Sequence, residues 1–257
     1  MSSRRLEITS SLAEAIQHAD IVQEQGPEKV DFKQRIWAEI ETLAPADALF
    51  WSSTSGIPAS VQSKKMKDKW RLTIVHPYNP PHIMPLLEIV PSGATERPLS
   101  SHISRTLKYW EKLGRKPVVL QEEITGFVAN RLAFALFREA AYLVQRGIAS
   151  AAEIDRVVEQ SLGPRWAVRG PFWSYHAGGG EEGGLAAFLD KIGDTIQGCW
   201  DDLGDLQLRH AKDGLERPPG WQARVCEQTE AAYGRLGVEA LRDRDEKLRD
   251  VLHITKP

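Results

Sequence analysis

The sequence predicts an α/β unit followed by an all-α unit: a truncated Rossmann-type parallel sheet, then a helical C-terminal domain. Three observations carry that expectation. Over residues 1–122 short β-like runs alternate with helical stretches, the pattern of a parallel sheet built from βα units. After about residue 124 the β signal vanishes, leaving helical periodicity punctuated by glycine and proline. A chain of 257 residues also exceeds the usual single-domain size and accommodates two modest units, here 1–122 and 123–257 with residues 122–125 as the joint.

In order along the chain, the strand candidates are residues 20–23 (DIVQ), 48–52 (ALFWS), 72–75 (LTIV), 86–90 (LLEIV) and 118–120. Between them, residues 11–18, 31–43 and 99–113 read as helices. The second places Phe32, Ile36, Ile40 and Leu43 at i, i+4, i+8 and i+11 on one face. Pro80 and Pro81 fix a rigid turn between two strands, since neither donates a backbone N–H. In the second half, Ser150 with Glu153 forms a capping box ahead of Ile154, Val157, Val158 and Leu162, and Gly163 supplies a stop. The glycine-rich run 178–184 and the Pro-Pro-Gly turn 218–220 separate later helices.

Composition narrows the functional classes. The formal net charge of −2 and an isoelectric point near 6.4 supply no broad positive field for nucleic acid or an anionic bilayer. Two cysteines, Cys199 and Cys226, are too few for a disulfide framework or a multi-thiolate metal site, and read as reduced thiols of a cytoplasmic chain that holds no metal. No window approaches the roughly 18 uninterrupted apolar residues of a membrane span.

In open parallel sheets ligands bind beyond the carboxyl ends of the strands. Glu24 follows the first strand candidate, Ser53, Thr54 and Ser55 follow the second, and His76 follows the third, so three strands deliver polar groups to one edge. Glu88 lies twelve residues beyond His76, and an antiparallel return through Pro80-Pro81 brings its carboxylate back towards the imidazole. A carboxylate among Leu86, Leu87, Ile89 and Val90 is costly to bury without a partner, and His76 is the natural one. An imidazole whose far nitrogen is fixed by a carboxylate is suited to taking the proton of a hydroxyl. Asn130 likewise sits among apolar residues, where an unpaired amide is expensive, so it needs either a structural partner or a ligand.

The stretches HPYNPPHIMPLLEIVPS, SSTSG, ITGFVANRL and LGPRWAVRGPF together resemble the 3-hydroxyacyl-CoA dehydrogenase family, closest to its lambda-crystallin and L-gulonate 3-dehydrogenase branch. The resemblance implies an oxidoreductase acting at C3 of a small 3-hydroxy or 3-oxo acid or acyl substrate with NAD. It implies His76 as general base, Glu88 as its partner, Ser55 hydrogen-bonded to the reacting oxygen and Asn130 orienting substrate. It also puts Asn79, and Gln23 or Glu24, near the cofactor, with Ser53 on the same edge.

No G-x-G-x-x-G follows a strand candidate, so the phosphate-binding first turn of the family's nucleotide domain is not found in this sequence; the one literal match lies at residues 178–183. GGGEEGG follows no strand, and its two glutamates repel phosphate. Two alternatives to hydride transfer follow: a non-redox acid/base catalyst (dehydration, isomerisation, retro-aldol cleavage or cyclisation), or a non-catalytic descendant. The unpaired sheet edge calls for cover by a partner copy, pointing to a homo-oligomer such as a dimer, or by the N-terminal residues 1–8.

Overall fold

The computed structural model describes residues 6–93, 101–208 and 220–255. The chain divides into two compact units between Leu132 and Ala133.

The first unit is built on a five-stranded sheet in the order β1 (Ile21–Glu24), β2 (Leu49–Ser52), β3 (Leu72–Pro77), β4 (Leu86–Pro91), β5 (Lys116–Val119). The pairs β1–β2, β2–β3 and β4–β5 are parallel, and β3–β4 is antiparallel. Helix α1 (Leu12–Ile16) precedes β1, and α2 (Val30–Leu43), α3 (Ala59–Gln62) and α4 (Ser101–Lys112) lie between successive strands. All five strand candidates fall on strands, each shifted by no more than two residues at its start. Residues 99 and 100 of the third helix candidate lie outside the described residues.

The antiparallel reversal is local chemistry. Pro80 and Pro81 cannot continue a ladder, and the chain folds back through hydrogen bonds from Ile83 and Met84 N–H to the Pro80 carbonyl. The resulting register sets His76 opposite Glu88.

Strand β2 is buried along its whole length, as expected of a strand covered on both faces. Alternate residues feed two apolar clusters. Phe50, Ile74 and Val90 pack with Trp37 and Ile40 of α2, while Leu49, Trp51, Val75 and Leu87 pack with Trp110 of α4. Each buried indole has to place its N–H: that of Trp37 donates to Gln62 Oε1 at 3.1 Å and that of Trp51 to Thr106 Oγ1 at 3.0 Å. The inner face of α2 is Lys33, Trp37 and Ile40, with Phe32, Ile36 and Leu43 only half-buried. It is rotated from the expected face because Lys33 turns inward to a buried acid on β1.

The second unit holds α5 (Ala129–Arg146, which begins in the first), α6 (Ala151–Val157), α7 (Gly163–Val168), α8 (Pro171–Gly178), α9 (Gly184–Asp201), α10 (Trp221–Tyr233) and α11 (Val238–Ile254). The Ser150–Glu153 capping box forms with both reciprocal bonds. Gly163 does not stop the helix. A π-helical turn, Val158–Leu162, carries the chain straight into α7, where Pro164 sits in the first turn and needs no donor. The break falls at Arg169 and Gly170, both extended, just before Pro171. The glycine-rich run does separate two helices, α8 and α9. Pro218 and Pro219 of the expected turn lie outside the described residues. Both cysteines, Cys199 and Cys226, are exposed in this unit.

Candidate active site

Because β1, β2 and β3 are parallel, their carboxyl ends share one edge of the sheet. A cleft of about 340 Å³ opens there, lined by Gly26, Glu28, Lys33, Ser53, Ser55 and Asn79 together with Gln25 and Pro77. Its position is that of ligand sites in open α/β sheets.

His76, on β3 just before Pro77, is 5% exposed, and Glu88, opposite it on β4, is 2% exposed. The imidazole Nδ1 lies 2.9 Å from Glu88 Oε2. The other carboxylate oxygen, Oε1, accepts the backbone N–H groups of Val128 at 2.8 Å and Ala129 at 2.9 Å, at the start of α5. Burial by itself pushes the Glu88 carboxyl up, but the hydrogen bonds from His76, Ala129 and Val128 outweigh it and hold the group below the usual carboxylate range. Glu88 is therefore ionised at neutral pH and can only accept, so Nδ1 carries the proton and Nε2 keeps a free lone pair.

The turn that delivers those two amides is strained. Gly126 has φ +78° and Phe127 φ +53°, a left-handed conformation costing about 1–3 kcal/mol for a residue with a side chain. Phe127 is fully buried, with its ring centroid 5.3 Å from that of His76 at 50° between planes.

The serine loop after β2 is clamped from two sides. Glu28 accepts from the Thr54 hydroxyl and from Ser55 N–H at 3.2 Å, while Asn130 Nδ2 donates to the Ser55 carbonyl at 2.9 Å. Gly126 N–H reaches the Gly56 carbonyl at 3.3 Å. Ser55 and Asn130 thus come together by direct hydrogen bond.

Among the residues expected near a cofactor, Ser53, Asn79 and Gln23 stand at the cleft edge, where Gln23 Nε2 donates to Ser53 Oγ at 2.8 Å. Glu24 is different. Its carboxylate is buried and accepts from Lys33 Nζ at 2.8 and 3.1 Å, Ser52 Oγ at 3.1 Å and Gly26 N–H at 2.6 Å. Those four bonds consume its acceptor capacity, leaving Gln23 as the exposed polar side chain of that pair.

Lys33 and Glu28, which sequence reasoning missed, shape the cleft as well. Lys33 Nζ lies 3.4 Å from Glu28 Oε2 as well as against Glu24. The available signal was a lysine at i, i+4, i+7 with Trp37 and Ile40: a charge on a helix's inner face demands a buried acid.

Fold and site together define a Rossmann-type α/β protein with a histidine–carboxylate pair at the carboxyl edge of its sheet and a helical unit after it. Comparison with known proteins gives the finer assignment. Residues 2–124 match the NAD-binding domain of 3-hydroxyacyl-CoA dehydrogenase, and residues 126–199 match its C-terminal domain. The chain belongs to the 3-hydroxyacyl-CoA dehydrogenase family, a family of NAD-dependent dehydrogenases. It is 37% identical over 254 residues to an L-carnitine dehydrogenase of Streptomyces griseus, covering 99% of this chain and 72% of that one. It is 34% identical to an L-carnitine dehydrogenase of Streptomyces coelicolor, covering 99% and 76%. The crystal structure of 5-formyl-3-hydroxy-2-methylpyridine 4-carboxylic acid 5-dehydrogenase, an NAD+-dependent dismutase, superposes with a TM-score of 0.75 at 27% identity, covering 96% of this chain and 76% of that one.

Proposed function

We propose that this chain is an NAD-dependent dehydrogenase that oxidises the secondary alcohol at C3 of a small 3-hydroxy acid, with His76 as general base. The observation that carries the reading is the buried 2.9 Å contact between His76 Nδ1 and Glu88 Oε2, which leaves Nε2 free to take a hydroxyl proton. As the alcohol O–H proton passes to Nε2, the C–O bond becomes a carbonyl. Bound NAD supplies the acceptor for the hydride leaving the same carbon. Glu88 stabilises the imidazolium through Nδ1–H and stays ionised, held by the two α5 amides.

Ser55 offers a hydroxyl at the cleft to the reacting oxygen, and Asn130 orients the substrate while pinning the Ser55 backbone. The donor set suits the nicotinamide end of a dinucleotide: Ser53, Asn79 and Gln23 are uncharged groups able both to donate and to accept. The cation that lines the cleft among the described residues, Lys33, sits against Glu24 and Glu28. Among the described residues no G-x-G-x-x-G turn follows a strand, so these residues account for one end of the cofactor only.

The relatives' names favour hydride transfer over the non-redox alternatives, and they make an L-carnitine-type 3-hydroxy acid the first substrate to try, ahead of a sugar acid. Exposed apolar side chains in the helical unit, among them Phe134, Phe137 and Trp200, support a homo-oligomer, with a dimer as the simplest case.

The test is NADH formation from NAD+ with L-carnitine, 3-hydroxybutyrate and L-gulonate, with cofactor binding followed by calorimetry. His76→Gln is expected to lower kcat by about 10²–10⁴-fold. Absence of nicotinamide reduction with all three substrates, together with no heat of cofactor binding, overturns the reading. A sedimentation mass equal to one chain overturns the oligomer.

A further inference from the structure

One turn, residues 126–130, touches three of the four residues placed at the chemistry. The Val128 and Ala129 amides hold Glu88 Oε1, Asn130 Nδ2 holds the Ser55 carbonyl, and the Phe127 ring lies against the His76 imidazole. Phe127 itself takes no part in proton transfer. It is an apolar side chain with no exposed surface, held in a backbone conformation that glycine adopts far more readily. For a bulky residue to occupy a left-handed position, the surroundings must over-determine it, and such strain concentrates where geometry is functional.

The geometry shows what the ring does. His76 is tethered at one atom, Nδ1, through the bond to Glu88 Oε2. A single hydrogen bond fixes a distance and leaves the ring free to rotate about χ2, a broad two-fold torsion. A flip about χ2 takes Nδ1 away from the carboxylate and puts Cδ2 in its place, while Nε2 changes places with Cε1. An aromatic wall with its centroid 5.3 Å away, tilted 50°, removes the volume that rotation requires. Backbone and ring act in concert. The left-handed turn points two amides at Oε1, and with that oxygen so held, Oε2 is the one presented to His76.

We propose that Phe127 is a positioning residue for His76, its ring locking the imidazole in the orientation and tautomer (proton on Nδ1, lone pair on Nε2) that proton abstraction requires. The consequence for catalysis rests on the reading of His76 as general base, whereas the consequence for the imidazole does not.

Two variants and two readouts test it. Phe127→Gly removes the ring yet accepts φ +53° without strain, so the amides keep their aim; Phe127→Leu keeps most of the bulk. The His76 tautomer is read by nitrogen-15 NMR on histidine-labelled protein, with the His76→Gln spectrum identifying its signals among the seven histidines. Wild type is expected to show the Nδ1–H form alone, and Phe127→Gly a mixture of both tautomers. With the active enzyme, kcat in Phe127→Gly is expected to fall by about 10- to 100-fold with KM within about threefold, the pattern of misorientation rather than lost binding. Phe127→Leu is expected to recover the single tautomer and most of kcat.

A Phe127→Gly protein with an unmixed Nδ1–H tautomer overturns the proposal, as does a Phe127→Leu protein with mixed tautomers. The second outcome decides the matter even if the glycine variant does not fold. The tautomer needs no substrate, so the two failures separate. A tautomer that shifts as expected in a protein without dehydrogenase activity sinks the proposed function and leaves the positioning role. An unmoved tautomer in an active enzyme does the reverse.

Discussion

The α/β unit and the helical unit meet solvent in opposite ways. Every buried polar or charged side chain among the described residues lies before Leu132, and each of the ionised ones has an ion-pair, hydrogen-bond or cation–π partner: Lys33 with Glu24, His76 with Glu88, Arg71 stacked on Phe50 and bonded to backbone carbonyls. The buried apolar side chains of the helical unit among the described residues, by contrast, are Ala141 and Val144, while Phe172 is 79% exposed and Trp200 63%. Burying paired charge is worthwhile where geometry must be fixed in advance, as at a site of proton transfer. Leaving aromatic faces bare is sustainable where another surface covers them.

The hardest way to break this contrast is to orphan a buried charge. Glu24→Ala leaves Lys33 as a buried ammonium with only the half-exposed Glu28 nearby, and is expected to cost about 3–5 kcal/mol in urea unfolding. Deleting a side-chain partner of the exposed Lys247–Asp243 pair on α11 should leave the unfolding midpoint unchanged.

Aromatic truncations sharpen it. Trp37→Ala removes a fully buried indole packed on Phe50 and is expected to cost about 3–5 kcal/mol. Trp200→Ala should barely move the melting temperature of a dilute sample, and should shift the sedimentation mass downwards if that face is an interface.

Acid gives a third contrast. The Glu88 carboxyl is held below its ordinary value in the folded state, so the stability it contributes is fully present above the unfolded value and is lost as pH falls through the folded one. The stability difference between wild type and Glu88→Gln should therefore shift against wild type as pH falls from the usual carboxylate range towards the lower folded value. A difference that stays flat as pH falls through the carboxylate range contradicts the assignment.

The smallest effect concerns a device confined to the helical unit. Ser150→Ala removes a capping-box acceptor and is expected to cost about 1 kcal/mol, with kcat untouched.

Much of the α/β unit was legible because its signals are local. Five strand candidates were short apolar runs bounded by turn residues, and Pro80-Pro81 announced the reversal that sets Glu88 opposite His76. The carboxylate within LLEIV was legible for the same reason, as a misfit in its own segment. The Lys33–Glu24 pair was hidden because α2 also carries the plausible apolar stripe Phe32, Ile36, Ile40, Leu43, and only the fold shows which face turns inward. The left-handed Phe127 was hidden because nothing in I-T-G-F-V separates a phenylalanine at positive φ from one simply in a core. Gly163 misled because it stays right-handed (φ −55°, ψ −57°) and donates to the Val158 carbonyl, so the chain runs on into α7.

Helices α6 and α5 close their first turns by different routes. Helix α6 is capped by Ser150 and Glu153, three residues apart, with Gln228 Oε1 of α10 also accepting from the Ala151 N–H at 3.0 Å. Helix α5 receives its acceptor from Glu88, 40 residues upstream of Val128. The first turn of α5 therefore gains its side-chain acceptor only once β4 is in place, so its closure is tied to the sheet as well as to its own helical propensity. In amide hydrogen exchange, Val128 and Ala129 should protect and open with the sheet rather than with the rest of the helix they begin.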